Sequence, residues 1–434
     1  MASISRRHFF YSAGTALTAA QAARVMGAND RIQVAIIGLG RRGTIHVETY
    51  LKLTADAEIA ALCDVNQAAL ERQQAVVQQA LGRTPKGYRD LREVFADKNV
   101  DGVSMPVPNH WHALATIWAC QAGKDVYIEK PACYNIFEGQ KMVEAARKYK
   151  RIVQIGSQGR SSPNRQRAMQ LLHEGVIGKI YMARGLCFNR RRSIGHRADS
   201  PVPPGIDWDK FLGPAPMRPF NMLRFDYNWH WFWDTGNGDI GNQGAHQLDI
   251  AHWGLGKPGL PKSVVSTGGK YIYQDDQETP NTQLASFDYG DAEIVFEVRG
   301  VLTGKEEGVG VGDLFYGSDG WMAASQTSFQ VYKGERSEKV MDESAQGNSE
   351  ADGNAPHFLN WLQAVRSRKV EDLNADVAVG VLAADLAHLA NISYRVGKKL
   401  KFDAQAMTFP DEPEANRLLT RHPYRAPYIV PEHV

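Results

Sequence analysis

Cysteine is scarce: four residues, at 63, 120, 133 and 187, in a chain of 434. None forms a CxxC pair or a zinc-ligand spacing, so the four read as small buried hydrophobes rather than a disulfide framework. Neither sign of charge is in excess. Fifty Lys and Arg face 48 Asp and Glu, a formal net charge of +2, so there is no global polycation to hold nucleic acid by phosphate neutralisation. Beyond the N-terminus no apolar run approaches the roughly 18 residues that a membrane span requires. No internal repeat is present. Hydrophobic residues make up 43% and charged residues 23%, an ordinary globular balance that excludes disorder, collagen and coiled coil as whole-chain readings.

What is present begins at the N-terminus. Residues 3–10 read Ser-Ile-Ser-Arg-Arg-His-Phe-Phe, followed by a small-residue stretch from Tyr11 to Ala23 that contains Ala20-Gln21-Ala22. A paired-arginine region, a weakly apolar middle and an A-x-A end resemble a twin-arginine export signal, here assigned to residues 1–28. The expected location is periplasmic, or otherwise exported. Removing residues 1–22 deletes Arg6 and Arg7 and no acid, taking the charge to 48 − 48 = 0. This export route carries folded proteins, so a cofactor loaded beforehand is expected to stay bound.

Arg31 to Gly40 (RIQVAIIGLG) is a short apolar run ending in glycine, the pattern of a buried parallel strand. Gly38, Gly40 and Gly43 then form G-x-G-x-x-G. The first glycine permits the tight turn, the second lets backbone approach a pyrophosphate, and the third lets the next helix pack on the strand. The pyrophosphate would rest on that helix's N-terminus. A second strand, Ala57 to Val65, carries Asp64, 21 residues after Gly43. An acid there accepts bonds from an adenosine ribose diol and repels a 2′-phosphate, which favours NAD over NADP. Arg41 and Arg42 keep NADP open, since either can meet a phosphate. Further strands at 99–106, 125–129 and 151–156 alternate with helical stretches, predicting a doubly wound parallel sheet with ligands at the strands' carboxyl ends. Asn109 and Lys130 both fall at such ends.

The glycine-loop start, Asp64, the run Pro108-Asn109-His110-Trp111-His112 and Glu129-Lys130-Pro131 resemble the Gfo/Idh/MocA family of glucose–fructose oxidoreductase and inositol dehydrogenase type. Arg160, Trp208 to Pro216, Gly236 to Trp253 and the helix from Asp376 to Arg395 extend the resemblance from about 30 to 403. It implies an α/β protein: an N-terminal NAD(P)-binding Rossmann domain (29–157), a C-terminal α/β domain with a large, open, mostly antiparallel sheet (158–409), and here a Pro-rich extended tail (410–434). Substrate is expected between the domains. Pro108, Asn109, His112, Glu129 and Lys130 are expected to border the cofactor with Gly38, Gly40, Arg41, Arg42, Gly43 and Asp64. Lys130 inherits a place beside the nicotinamide and the reacting hydroxyl, where burial and a positive ring lower its pKa for proton transfer.

The family's D-x-x-x-H pair is only half present: His246 matches, with Asp249 following, but Asn242 stands where the aspartate is expected. Asparagine positions a hydroxyl without taking its proton, so the base role falls to Lys130 or His246. Asp239 is a third candidate, because 239, 242 and 246 share a helical face if the helix begins that early. Five of nine tryptophans lie within 46 residues, and Asn228 to Asp234 reads NWHWFWD. Aromatic faces stack on the C–H faces of pyranose rings, so Trp231 and Trp233, with Arg160, Asn242 and His246, are the expected substrate contacts. Arginines 190–192 fit either an acidic or hydroxylated substrate or a solvated turn. No metal is expected. Residues 335–354 read as a mobile polar loop. The expected partners are a small carbohydrate and further copies of the chain. Three functions follow: an NAD-dependent sugar oxidoreductase; a glycoside hydrolase that oxidises transiently to a keto sugar, eliminates the aglycone, adds water and re-reduces; or a non-catalytic binding protein.

Overall fold

The computed structural model describes residues 31–344, 349–421 and 423–434; the twin-arginine segment lies outside them. The first sheet has six parallel strands: β1 (Ile32–Ile37), β2 (Ala57–Cys63), β3 (Lys86–Tyr88), β4 (Gly102–Met105), β5 (Asp125–Ile128) and β6 (Val153–Ile155), in the order 3-2-1-4-5-6. Helices α1 (Arg41–Lys52), α2 (Gln67–Leu81), α3 (Leu91–Ala96), α4 (Asn109–Gln121) and α5 (Ile136–Lys148) connect them. β1 is buried on both faces, which is why it reads as a continuous apolar run rather than an alternation. The order reverses between β1 and β4, and an open α/β sheet binds ligands at that switch point. Local signals agree with the elements. The Asn66 side chain caps α2, and Gly82 ends it in the left-handed conformation.

The second half contains α6 (Pro163–His173), β7 (Ile180–Cys187), α7 (Trp208–Leu212), α8 (Gly238–Gly241), α9 (Gly244–Leu255), β8 (Ser263–Gly269), β9 (Thr282–Asp288), β10 (Glu293–Arg299), β11 (Val311–Gly317), β12 (Gly320–Ser325), β13 (Ser328–Lys333), β14 (Glu338–Ser344), α10 (Ser349–Ser367), α11 (Val377–Val396), β15 (Leu400–Lys401) and α12 (Pro413–Arg417). Its nine-stranded sheet runs 14-13-12-11-7-10-9-8-15. β7 and β10 pair in parallel, and every other pair is antiparallel. β10, EIVFEVR, alternates half-buried and buried residues, the period of a sheet with one face on the core.

Several expectations change. α10 belongs to the first sheet's core: its Phe358, Trp361 and Leu362 pack with Val34, Ile36 and Tyr127, so the division at 157/158 does not hold for this helix. Gly102 is required there, since a Cβ would lie 2.9 Å from the Trp361 ring. α11 is shared: Val377, Val381 and Ala384 pack with the Rossmann helices, and Leu386, Ala387, Leu389 and Ala390 with the nine-stranded sheet. This helix is also long and apolar enough to cross a membrane, contrary to the reading of the apolar runs, but 78% of its apolar window is buried inside the protein. The segment read as a mobile loop at 335–354 supplies strand β14 and the start of α10, and the tail contains the short helix α12, opened by Pro413. All four cysteines are free and buried.

Candidate active site

A cleft of about 1100 Å³ opens at the carboxyl ends of β1, β2, β4 and β5, and its far wall comes from the second domain. Ligand clefts commonly span roughly 300–1,000 Å³, so this one has room for a dinucleotide and a small substrate. Gly38 turns the chain with φ +95, and a Cβ at Gly43 would meet the Gly38 carbonyl oxygen at 2.1 Å, so helix α1 can seat only on glycine there. The Cβ direction of Gly40 is open, with nothing within 4 Å. That open side, at the start of α1, is the space a pyrophosphate needs. Asp64, one residue past β2, lines the same cleft. Its carboxylate accepts from the backbone N–H of Leu39 at 2.5 Å and of Asn66 at 2.7 Å. Burial raises its pKa against the pull of those amides. The residues present therefore fit a dinucleotide with a free ribose diol.

Glu129 and Lys130 follow β5. Burial alone would raise the Glu129 carboxyl, but the Arg42 guanidinium at 2.9 Å and the His46 ring at 3.0 Å hold it well below the usual range. Lys130 points into the cleft, and burial pushes its ammonium down to about 8, with Glu129 partly opposing. Lys130 Nζ donates to both the backbone carbonyl and the Oδ1 of Asn242, each at 3.1 Å. Asn242 Nδ2 donates in turn to the Tyr227 hydroxyl at 3.0 Å, and Arg41 lies over the Tyr227 ring at 5.5 Å. His246 is half-buried at the cleft wall, and its ring has no hydrogen-bond partner among the described residues. Burial, then the Lys130 charge, keeps its imidazole neutral.

Other expected residues stand elsewhere. α8 ends at Gly241 and α9 begins at Gly244, with Asn242 at φ −87, ψ −91 between them, so 239, 242 and 246 do not share one helix face. Asp239 lies behind Asn242, buried in a bidentate pair with Arg191 at 2.7 and 2.8 Å. Arg160 does not face the cleft: it grips Asp249 at 2.7–3.0 Å and lies over Trp253. Asp249 therefore holds Arg160 rather than His246. Trp231 is buried under Arg191, and Trp233 packs with Tyr394 and Arg395. Of the tryptophans in the 228–234 run, Trp229 lines the cleft, stacked on His230 at 3.5 Å. Asn109 and His112 brace the site from behind. Asn109 donates to Asn237 of the second domain at 2.5 Å, and the His112 ring nitrogens lie 2.6 and 2.8 Å from the carbonyl oxygens of Pro131 and Val107. Pro108 lines the cleft. Sequence reasoning missed Tyr227 and the cleft-facing His230; the aromatic run signalled the loop but not which rings turn inward.

Residues 32–157 match an oxidoreductase family with an NAD-binding Rossmann fold, and residues 191–430 match that family's C-terminal α/β domain. The chain belongs to the Gfo/Idh/MocA oxidoreductase family. Its first domain is an NAD-binding Rossmann domain, as the strand pattern predicts, and its second is the family's α/β domain, as the resemblance implies. Over 198 residues it is 30% identical to a myo-inositol 2-dehydrogenase from Thermotoga maritima, 45% of this chain and 54% of that protein. Over 193 residues it is 27% identical to a glycosyl hydrolase family 109 protein from Saccharopolyspora erythraea, 42% of each. The chain thus spans about half the length of the curated relatives it matches. The WlbA dehydrogenase of Bordetella pertussis, solved with NADH and UDP-GlcNAcA, has the same fold, with a TM-score of 0.64, 19% identity, and 86% of this chain and 99% of that one covered.

Proposed function

We propose that this member of the family oxidises a CH–OH group of a sugar or sugar-like polyol, on NAD that it retains tightly, after export from the cytoplasm. The observation that carries the reading is Lys130: an amine lowered to about 8, at the end of β5, between the glycine loop and the wall bearing Asn242 and His246. NAD, when bound, supplies the hydride acceptor. The two bonds to Asn242 engage both N–H groups of the neutral Lys130 amine. Its lone pair is left for the substrate O–H. Lys130 takes the hydroxyl proton; with NAD bound, the carbon bearing that hydroxyl would give up its hydride, so that the alcohol would become a ketone with the proton held on Lys130. The His246 ring, neutral and without a partner among the described residues, positions a second hydroxyl. His230 donates through Nδ1 to the Tyr227 carbonyl at 2.6 Å, leaving Nε2 as an acceptor, and its stacked Trp229 offers an apolar face.

A second reading is favoured by the similarity to glycosyl hydrolase family 109 proteins: the same hydride and proton steps run forward and back around elimination of an aglycone. Retained NAD fits it, because an exported enzyme has no soluble NAD pool. The test incubates purified full-length protein with NAD and a panel of inositols, aldoses and nitrophenyl glycosides. NADH that accumulates with wild type and not with Lys130→Met supports the oxidoreductase. Nitrophenol release without net NADH selects the second reading. Neither signal, with NAD still bound, overturns both in favour of a binding protein.

A further inference from the structure

Away from the cleft, α11 carries Asp385 and His388 three residues apart, on one helical face. That face meets Cys133, the third residue after Lys130 in the connection to α5. One donor atom from each of the three lies within 4.8 Å of the others, and Cys133 Sγ stands 3.5 Å from His388 Nε2. All three are buried, at 0, 2 and 4% exposure. We propose that Cys133, Asp385 and His388 form a zinc site that ties the loop following Lys130 to the helix shared by both domains. The inference is independent of the function proposed above.

Three observations converge on a cation. Asp385 Oδ1 is buried with no hydrogen-bond partner among the described residues. Among the described residues its carboxyl has no ion pair. An unpaired buried carboxylate is costly, and the usual remedy of an arginine or lysine is missing. A divalent ion neutralises a thiolate and a carboxylate together, and with a neutral imidazole the buried group carries no net charge. The donor set is sulfur, nitrogen and oxygen, which suits zinc and not the oxygen-seeking magnesium or calcium. Zinc bonds of about 2.3 Å to sulfur and 2.0–2.1 Å to nitrogen, at a tetrahedral angle, put the two donors about 3.5 Å apart, the separation found. Gly139 leaves the sulfur its room: a Cβ there would lie 2.9 Å from Cys133 Sγ. Three protein donors leave one position of a tetrahedral ion for water.

The test uses the full chain with its cofactor oxidised, stripped of metal by chelator and dialysed. Cobalt(II) is then added as a probe, followed by zinc. The site predicts a near-ultraviolet sulfur-to-cobalt charge-transfer band with strong visible bands of four-coordinate cobalt, both erased by one equivalent of zinc. Elemental analysis after gel filtration should find about one zinc per chain in wild type and a loss of tenfold or more in Cys133→Ser and His388→Gln. Because either variant can fail to fold, the wild-type spectrum gives a test that does not depend on them. No thiolate band and no retained zinc would overturn the proposal in favour of a thiol–imidazole contact beside a protonated acid. A folded Cys133→Ser that keeps its zinc would overturn it equally.

Discussion

Asp64→Asn is the sharpest perturbation of the cofactor half of the cleft. In the wild type each Asp64 oxygen already accepts one backbone N–H, from Leu39 or Asn66, and keeps a free lone pair for a ribose hydroxyl. Asparagine retains one acceptor oxygen, replaces the other by a donor and removes the charge. Losing a hydrogen bond to a charged group costs about 1.5–3 kcal/mol, so NADH should bind roughly 10- to 150-fold more weakly. The same change removes the negative charge that repels a 2′-phosphate, with Arg41 and Arg42 left to attract one, so NADPH should bind more tightly. Titrations of both nucleotides at fixed salt, followed by calorimetry, read the two arms separately, with circular dichroism as the folding control. Burial raises the Asp64 pKa, so wild-type NADH affinity should also begin to fall on acidification before an exposed aspartate would protonate. Wild-type protein that holds NADPH as tightly as NADH, or a variant that weakens both equally, would refute the assignment of cofactor choice to Asp64.

Three further outcomes follow from the same contacts. With Lys130 lowered to about 8, its base form grows as pH rises, so kcat/KM for the best polyol should climb and level above about pH 8; Lys130→Arg should lose roughly 10²–10⁴-fold while still binding NADH. An Arg variant within tenfold of wild type, or a flat profile, contradicts the base role. Arg160→Ala leaves Asp249 buried and unpaired, at a cost of about 3–5 kcal/mol in urea unfolding, with KM unchanged; a raised KM at full stability would return Arg160 to the substrate. Trp361→Ala should cost about 3–5 kcal/mol, because the ring fills the core under the first sheet; a loss below about 1 kcal/mol would remove α10 from that core.

The parts legible in the sequence are those where backbone geometry restricts the residue. Gly38 needs its positive φ, Gly43 its missing Cβ, and an acid must end β2 to meet a ribose, so spacing alone locates the glycine loop and Asp64. Strand runs buried on both faces announce a parallel sheet. β3 was not legible because three residues carry no period. α11 reads as a helix, but nothing local reports that α10 fills the first domain's core. In the aromatic loop no regular period says which rings turn inward, so Trp229 and His230 could not be told from Trp231 and Trp233. Asn242 breaks the helix that a continuous pattern from 239 to 246 suggested. Cys133 and His388, 255 residues apart, meet only through the packing of α11.

The central claim is that NAD held in this cleft accepts hydride from a polyol whose proton goes to Lys130. The most direct measurement takes protein purified without added nucleotide, identifies the nucleotide released on denaturation by mass, and follows the absorbance of reduced nicotinamide in the intact protein as polyols are added. The account predicts co-purified NAD(H) and a rise in that absorbance on adding the right polyol to wild type, absent in Lys130→Arg. Protein that carries no nucleotide and, supplied with NAD, shows no reduction by any polyol or sugar would contradict it.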